Sequence, residues 1–163
     1  MNGHQDMDGF MVPIDDRYFE DYTAGATYEY GSVAVTEEEI IAFASQYDPQ
    51  SFHIDPIAAR QGPFGGLVAS GWHTVTLMMQ LFARHYLSKV ASLGSPGVDE
   101  LRWLKPVHPG DRLRLHLRTI DTRRSSSDPR RGIVRTLAEL IDQGGEPVLR
   151  VTVVNLLSTR DGA

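Results

Sequence analysis

Between residues 61 and 83 the chain carries no formally charged side chain, and the second half of that stretch has the pattern of a helix. Ser70 is a suitable N-cap. From Gly71 onward Trp72, Val75, Met78, Met79, Phe82 and Tyr86 fall on one helical face, and Leu77 and Leu81 make the other side apolar too. A helix apolar nearly all round is a buried one. A charge-free run of this length also raises the question of a membrane span. Gly62, Pro63, Gly65, Gly66, Ser70, Gly71, His73 and Gln80 argue against it. The stretch reads instead as a turn feeding a buried helix over residues 70–87, and the rest of the chain must cover that helix.

The C-terminal half supplies the cover. Residues 101–107, 112–121, 132–142 and 147–158 read as strands. In the clearest of them Leu113, Leu115 and Leu117 alternate with Arg114, His116 and Arg118. Pro109-Gly110-Asp111 and Gln143-Gly144-Gly145 are turns, and residues 123–131 form a longer polar hairpin loop. Upstream, residues 27–35 are a first strand rich in Tyr, Thr and Val. Thr36-Glu37-Glu38-Glu39 is a capping box, followed by Ile40, Phe43, Ala44 and Tyr47 at helical spacing. Strands following helices indicate an α+β fold with an antiparallel sheet, curled around the long helix. The length, 163 residues, fits one domain. Residues 1–17 read as a loosely ordered arm and 18–163 as the domain.

Composition narrows the chemistry. The chain has no cysteine, which removes disulfides, thiolate nucleophiles and Cys-ligated metals. A net charge of −5 is the wrong sign for a general nucleic-acid binder. The first ten residues lack the basic start and apolar run of a signal peptide. A soluble, cytoplasmic protein is expected, with neither membrane nor nucleic acid as partner. The glycine-rich turn at 61–66 contains no phosphate-loop or dinucleotide fingerprint.

The candidate chemistry lies in Asp48-Pro49-Gln50-Ser51-Phe52-His53. The first helix should end near Tyr47, and Pro49 prevents its continuation. Asp48 and His53 are thereby expected on one tight loop, with a short helix over residues 54–60 to follow. A carboxylate and an imidazole converging on one water can activate it and move its protons. Taken alone, the same pair also suits a turn cap and a surface histidine.

Three blocks together resemble the MaoC-like acyl dehydratase / (R)-specific enoyl-CoA hydratase family, over residues 18–157. They are the segment from Val35-Thr36-Glu37 through Ala44 to Asp48, His53, Asp55 and Ala58, then Phe64-Gly65-Gly66-Leu67-Val68-Ala69-Ser70-Gly71-Trp72, then Pro106-Val107-His108-Pro109-Gly110-Asp111. The family's D-x-N-P-x-H motif is kept at Asp48 and His53, with Gln50 and Ser51 in place of its Asn and Pro. The resemblance implies a single hotdog domain, an antiparallel sheet wrapped around a long central helix. It implies an enzyme, a hydro-lyase adding water across the C2–C3 bond of an acyl thioester or removing it, as between trans-2-enoyl-CoA and (R)-3-hydroxyacyl-CoA. Asp48 and His53 would be catalytic, with Asp48 activating water and His53 serving C2. The Gly71 backbone amide would stabilise the oxyanion. Gln50, Ser70, Trp72 and His73 are candidate substrate contacts. Coenzyme A or acyl carrier protein would be the substrate's carrier, with no cofactor and no metal, and the six histidines show no i, i+4 ligand pair. A homodimer or higher homo-oligomer is implied.

Two other readings fit the same residues: an acyl-CoA thioesterase on this fold, and a non-catalytic acyl-binding subunit, against which the retained Asp48/His53 pair argues. Gly71 is equally consistent with close packing, and Trp103 with packing or a dimer contact. Arg102, Lys105, Arg123, Arg124, Arg130 and Arg131 are the groups that could meet the carrier's phosphates.

Overall fold

The computed structural model describes residues 9–163. The uncharged run does form the long helix, α4 (Gly71–His85), closed at its C-terminus by Tyr86. Five strands cover it: β1 (Thr27–Ala34), β2 (Gly97–Trp103), β3 (Arg112–Arg124), β4 (Arg131–Ile141) and β5 (Pro147–Ser158). They form one antiparallel sheet in the order β1-β3-β4-β5-β2. This is the expected hotdog fold, α+β with few helices.

The alternation read from the sequence is what builds the inner face. Leu113, Leu115 and Leu117 of β3 are fully buried, as are Ala138 and Leu140 of β4 and Leu149 and Val151 of β5. Cross-strand pairing aligns Tyr30, Leu115, Leu140, Leu149 and Trp103 in one row spanning all five strands. Such directly opposed side chains are the unit of sheet stabilisation.

The helix is not buried all round, contrary to expectation. His73, Thr74, Leu77, Met78, Leu81 and Phe82 form its buried stripe, whereas Trp72 is 58% and Met79 41% exposed. The sheet and the first helix, α1 (Glu37–Tyr47), reach only part of its circumference. The capping box of α1 is present: Thr36 Oγ1 accepts from the Glu39 amide at 3.2 Å, and Glu39 accepts from the Thr36 amide at 3.3 Å.

Two further boundaries differ. The strand expected over 101–107 is β2, ending at Trp103, and residues 104–107 instead run on as part of a cavity wall. Pro106 has no N–H to give a ladder. The expected loose arm lies partly outside the described residues, at 1–8; from Phe10 on it is docked. Phe10 stacks on Tyr28 with ring centroids 4.5 Å apart. Arg17 is fully buried and donates to the carbonyls of His85 and Tyr86, each at 3.0 Å. A cation there also suits the negative end of the α4 dipole.

Phe82 is fully buried and Met79 is 41% exposed, one turn apart on the same helix. Phe82→Ala should therefore cost about 3–5 kcal/mol of stability, and Met79→Ala about 0.5 kcal/mol or less. Urea unfolding of both variants checks which face of α4 is inside; equal losses would contradict this burial.

Candidate active site

The residue before a proline is pushed out of the helical region. Asp48 precedes Pro49 and takes φ −152° and ψ 67°, closing α1. A tight turn follows, with the Gln50 amide donating to the Asp48 carbonyl at 2.8 Å. The chain then makes a one-turn helix, α2 (Ser51–Ile54), and a second short helix, α3 (Pro56–Arg60), whose first amides are capped by Asp55. The expected loop is thus a turn plus a helical turn, and the short helix starts at Pro56 rather than at residue 54. The winding of α2 carries His53 back toward Asp48 and buries it, at 6% exposure. A surface histidine is thereby ruled out.

His53 Nδ1 lies 2.6 Å from the Val68 carbonyl. A carbonyl only accepts, so Nδ1 carries a proton and Nε2 is the nitrogen left for chemistry. Nε2 stands 3.3 Å from Asp48 Oδ2. The extended segment that provides this carbonyl is itself pinned: the Val68 amide donates to Phe52 O at 3.1 Å and the Ala69 amide to Val107 O at 2.8 Å.

Both oxygens of Asp48 are held. Gln50 Nε2 donates to Oδ1 at 2.7 Å, and the Ser70 hydroxyl donates to Oδ2 at 2.7 Å. Partial burial acts to raise the carboxyl's pKa. The hydrogen bonds from Gln50 and Ser70, with His53 nearby, outweigh it and hold the group below its ordinary value. Gln50 and Ser70, candidates for substrate contact, thus bind the carboxylate itself.

Ser70 occupies the N-cap position of α4 without capping it; its hydroxyl is turned to Asp48. The first ladder bond of α4 is from the Thr74 amide to the Ser70 carbonyl, at 3.1 Å. The amides of Gly71, Trp72 and His73 precede it and have no partner within the helix. They carry the positive end of the helix dipole, a setting that favours developing negative charge.

A cavity of about 420 Å³ connects these groups; Asp48, Gln50, His53, Gly71, Trp72 and Thr74 all line it. Its other walls are apolar except for Lys105, and include Phe52, Phe64, Val68, Trp103, Leu104 and Val107. Sequence reasoning missed two contributors and the role of a third. The Val68 carbonyl leaves no side-chain signal. Ser70 was legible as a cap and a candidate substrate contact, not as the donor to Asp48. Trp103, whose indole lies against Gly71, is brought to the site by sheet register alone.

His73 is not brought to the cavity. It is buried on the side of α4 facing α1, stacked on Phe43 with centroids 4.9 Å apart. Burial holds its pKa below the ordinary value, partly opposed by Glu39. Lys105 stands on the rim, bonded to Asp142 and Glu146 at 2.7 Å each, and those two bonds raise its pKa. Arg124 and Arg131 lie at the other end of the sheet, paired with Gly132 and Ser158, far along β4 from the Leu140 row that leads to Trp103. No helix among the described residues is long and apolar enough to cross a membrane.

Comparison with known proteins agrees with this fold. Residues 21–139 match the family model described as a MaoC like domain. The crystal structure of a MaoC-like dehydratase from Rhodospirillum rubrum superposes with a TM-score of 0.82 at 36% identity, over 88% of this chain and 98% of that one. The 3-hydroxyacyl-thioester dehydratase Z of Mycobacterium tuberculosis is 37% identical over 84 residues, 50% of this chain and 56% of that protein. An uncharacterized protein of Bacillus subtilis, YdeM, is 25% identical over 132 residues, covering 81% of this chain and 90% of its own.

The hydrogen bond from Ser70 sets a titration test. With a folded pKa below the unfolded one, Asp48 stabilises the fold above the ordinary carboxylate range, and that contribution is lost as pH falls through the folded pKa. Ser70→Ala removes one donor, so the Asp48 pKa should rise and the acid loss of stability begin at higher pH. Carbon-13 NMR titration of the Asp48 carboxyl reads this directly; an unchanged pKa would contradict the assigned role of the hydroxyl.

Proposed function

The chain belongs to the family of MaoC-like domains, and from that premise we propose that it is an acyl-thioester hydratase/dehydratase. Its substrate would be a trans-2-enoyl thioester and its product the (R)-3-hydroxyacyl thioester, or the reverse. The observation that carries the reading is the 3.3 Å separation of Asp48 Oδ2 and His53 Nε2, at the wall of a cavity that also reaches the N-terminus of α4.

In hydration, the thioester carbonyl accepts from the Gly71 amide. A water held between Asp48 and His53 attacks C3. Asp48, kept ionised by Gln50 and Ser70, takes the water's proton. His53, protonated on Nε2, gives its proton to C2 as the enolate-like oxygen collapses back to a carbonyl. A proton then passes from Asp48 to His53 across the short gap, restoring the starting state. Dehydration runs the same steps backward. The reading calls for no metal and no cofactor beyond the substrate's own carrier, coenzyme A or acyl carrier protein. Trp72 and the apolar walls would contact the acyl thioester.

We also propose a homodimer formed through the β2 edge. β2 is paired on one side only, and Val98, Trp103 and Leu104 are exposed there. An apolar open edge calls for a partner or a cover.

Three measurements test this. Loss of enoyl absorbance from trans-2-enoyl-CoA esters of rising chain length should give a 3-hydroxy product without free thiol; thiol release alone would replace the reading with a thioesterase. Asp48→Asn and His53→Ala should each lower kcat by at least ~10²-fold, with KM little changed and the double variant scarcely worse than either single one. A folded Asp48→Asn keeping more than about a tenth of the rate would remove Asp48 from the role. Sedimentation at micromolar concentration should show at least twice the 18.1 kDa chain mass; the single-chain mass alone would remove the dimer.

A further inference from the structure

Trp103 is the last residue of β2, and its backbone neighbours leave it little freedom. It pairs with Leu149 of β5, and the next amide, Leu104, donates to Val148 O at 2.9 Å. It ends the cross-strand row that runs from Tyr30 through three buried leucines. At the sheet's edge that row reaches the start of α4. The indole Nε1–H donates to the Gly71 carbonyl at 2.8 Å. The ring also lies close against Gly71: a Cβ there would come within 2.5 Å of two indole atoms. Trp72 meets the ring edge-on, with centroids 5.2 Å apart and planes at 81°.

This contact falls where the helix lacks its N-cap bond. A Ser at the N-cap normally fixes the first turn by accepting from its amides, but here the Ser70 hydroxyl is committed to Asp48. The hydroxyls of Thr74 and Thr76 donate to the carbonyls of Ser70 and His73, at 3.4 and 2.7 Å, but the Ser70 side chain accepts from none of the first-turn amides, and Gly71 and Trp72 line the cavity. A hydrogen bond to the Gly71 carbonyl fixes the Gly71–Trp72 peptide plane and, through it, the direction of the neighbouring amides.

We propose that Trp103 is a positioning residue: it sets the orientation of the α4 first-turn amides from the edge of the sheet, and through them the polarisation of a bound acyl carbonyl. The inference rests on the hydratase reading for its catalytic consequence, but its structural half stands without it. Catalysis by oriented donors is sensitive to small misplacements, so an indole that serves as more than a wall should act on rate rather than on binding.

The test is Trp103→Phe, which keeps an aromatic ring on Gly71 and removes the N–H, beside Trp103→Leu, which removes the ring. The chain has two tryptophans, so Trp72→Phe identifies which of two indole N–H resonances belongs to Trp103. In Trp103→Phe the Gly71 and Trp72 amide resonances should shift and exchange faster with solvent. kcat for enoyl-thioester hydration should fall about three- to tenfold, the range one neutral hydrogen bond spans, with KM within about twofold. Unmoved first-turn amides, or a raised KM with kcat intact, would overturn the proposal and leave Trp103 as a wall. If the wild-type chain hydrates no enoyl thioester, the functional reading fails separately, and the amide shifts still decide whether Trp103 positions the turn. Should Trp103→Leu not fold, Trp103→Phe carries the test alone.

Discussion

The Ser70 hydroxyl sits where a helix cap belongs and donates instead to Asp48. That one bond joins the end of α1 to the start of α4, two elements that otherwise meet through apolar packing such as Phe43 on His73. It stabilises the charged form of a carboxylate, and it leaves the first amides of a long helix free of a local cap. The carboxylate, the imidazole and the start of α4 at Gly71 and Trp72 consequently open on one cavity. Diverting the hydroxyl forgoes a cap, a contribution of about 1 kcal/mol. Proteins commonly carry such local losses at functional sites and offset them through packing elsewhere. Here the offset lies at the other end of α4, where the Tyr86 hydroxyl is buried between Thr119 and Thr136 and Arg17 satisfies the last carbonyls.

Extended segments outside the sheet hold this arrangement. Val68, whose carbonyl fixes the His53 tautomer, belongs to a segment bonded to Phe52 on one side and, through Ala69, to Val107 on the other. Val107 and the turn after it are in turn tied to the end of β1, with Gly110 N–H donating to Val35 O at 2.7 Å and Val35 N–H to Asp111 O at 2.9 Å. The geometry of His53 is thus set by backbone hydrogen bonds to parts of the chain distant in sequence, and that of Asp48 by the side chains of Gln50 and Ser70.

Sequence patterning made the buried parts legible and the exposed parts obscure. The strands β3, β4 and β5 could be read because Leu113, Leu115 and Leu117 and their partners alternate between core and solvent. β2 was misplaced by several residues because it is an edge strand, exposed nearly throughout, and alternation carries no signal where neither face is buried. The helix α4 was found from its lack of charge, yet its outward face was not, since Trp72 and Met79 are apolar and exposed. At the site, Asp48 and His53 were evident from spacing around Pro49. The residues that orient them were not: a backbone carbonyl has no letter in the sequence, and a serine before a helix looks like a cap whether or not it caps. His73 was a candidate by proximity in sequence, but the turn of about 100° per residue takes it from the side of Trp72 round to the side that meets Phe43 of α1.

The central claim is that Asp48 and His53 work on one water from one side of the substrate. Because the two groups are only 3.3 Å apart on one wall, the hydroxyl at C3 and the proton at C2 must arrive on the same face of the double bond. Hydration of a trans-2-enoyl thioester in D₂O, with the relative configuration at C2 and C3 read by proton NMR, tests this directly. The account predicts syn addition. Anti addition would require a proton donor on the opposite face and would contradict it.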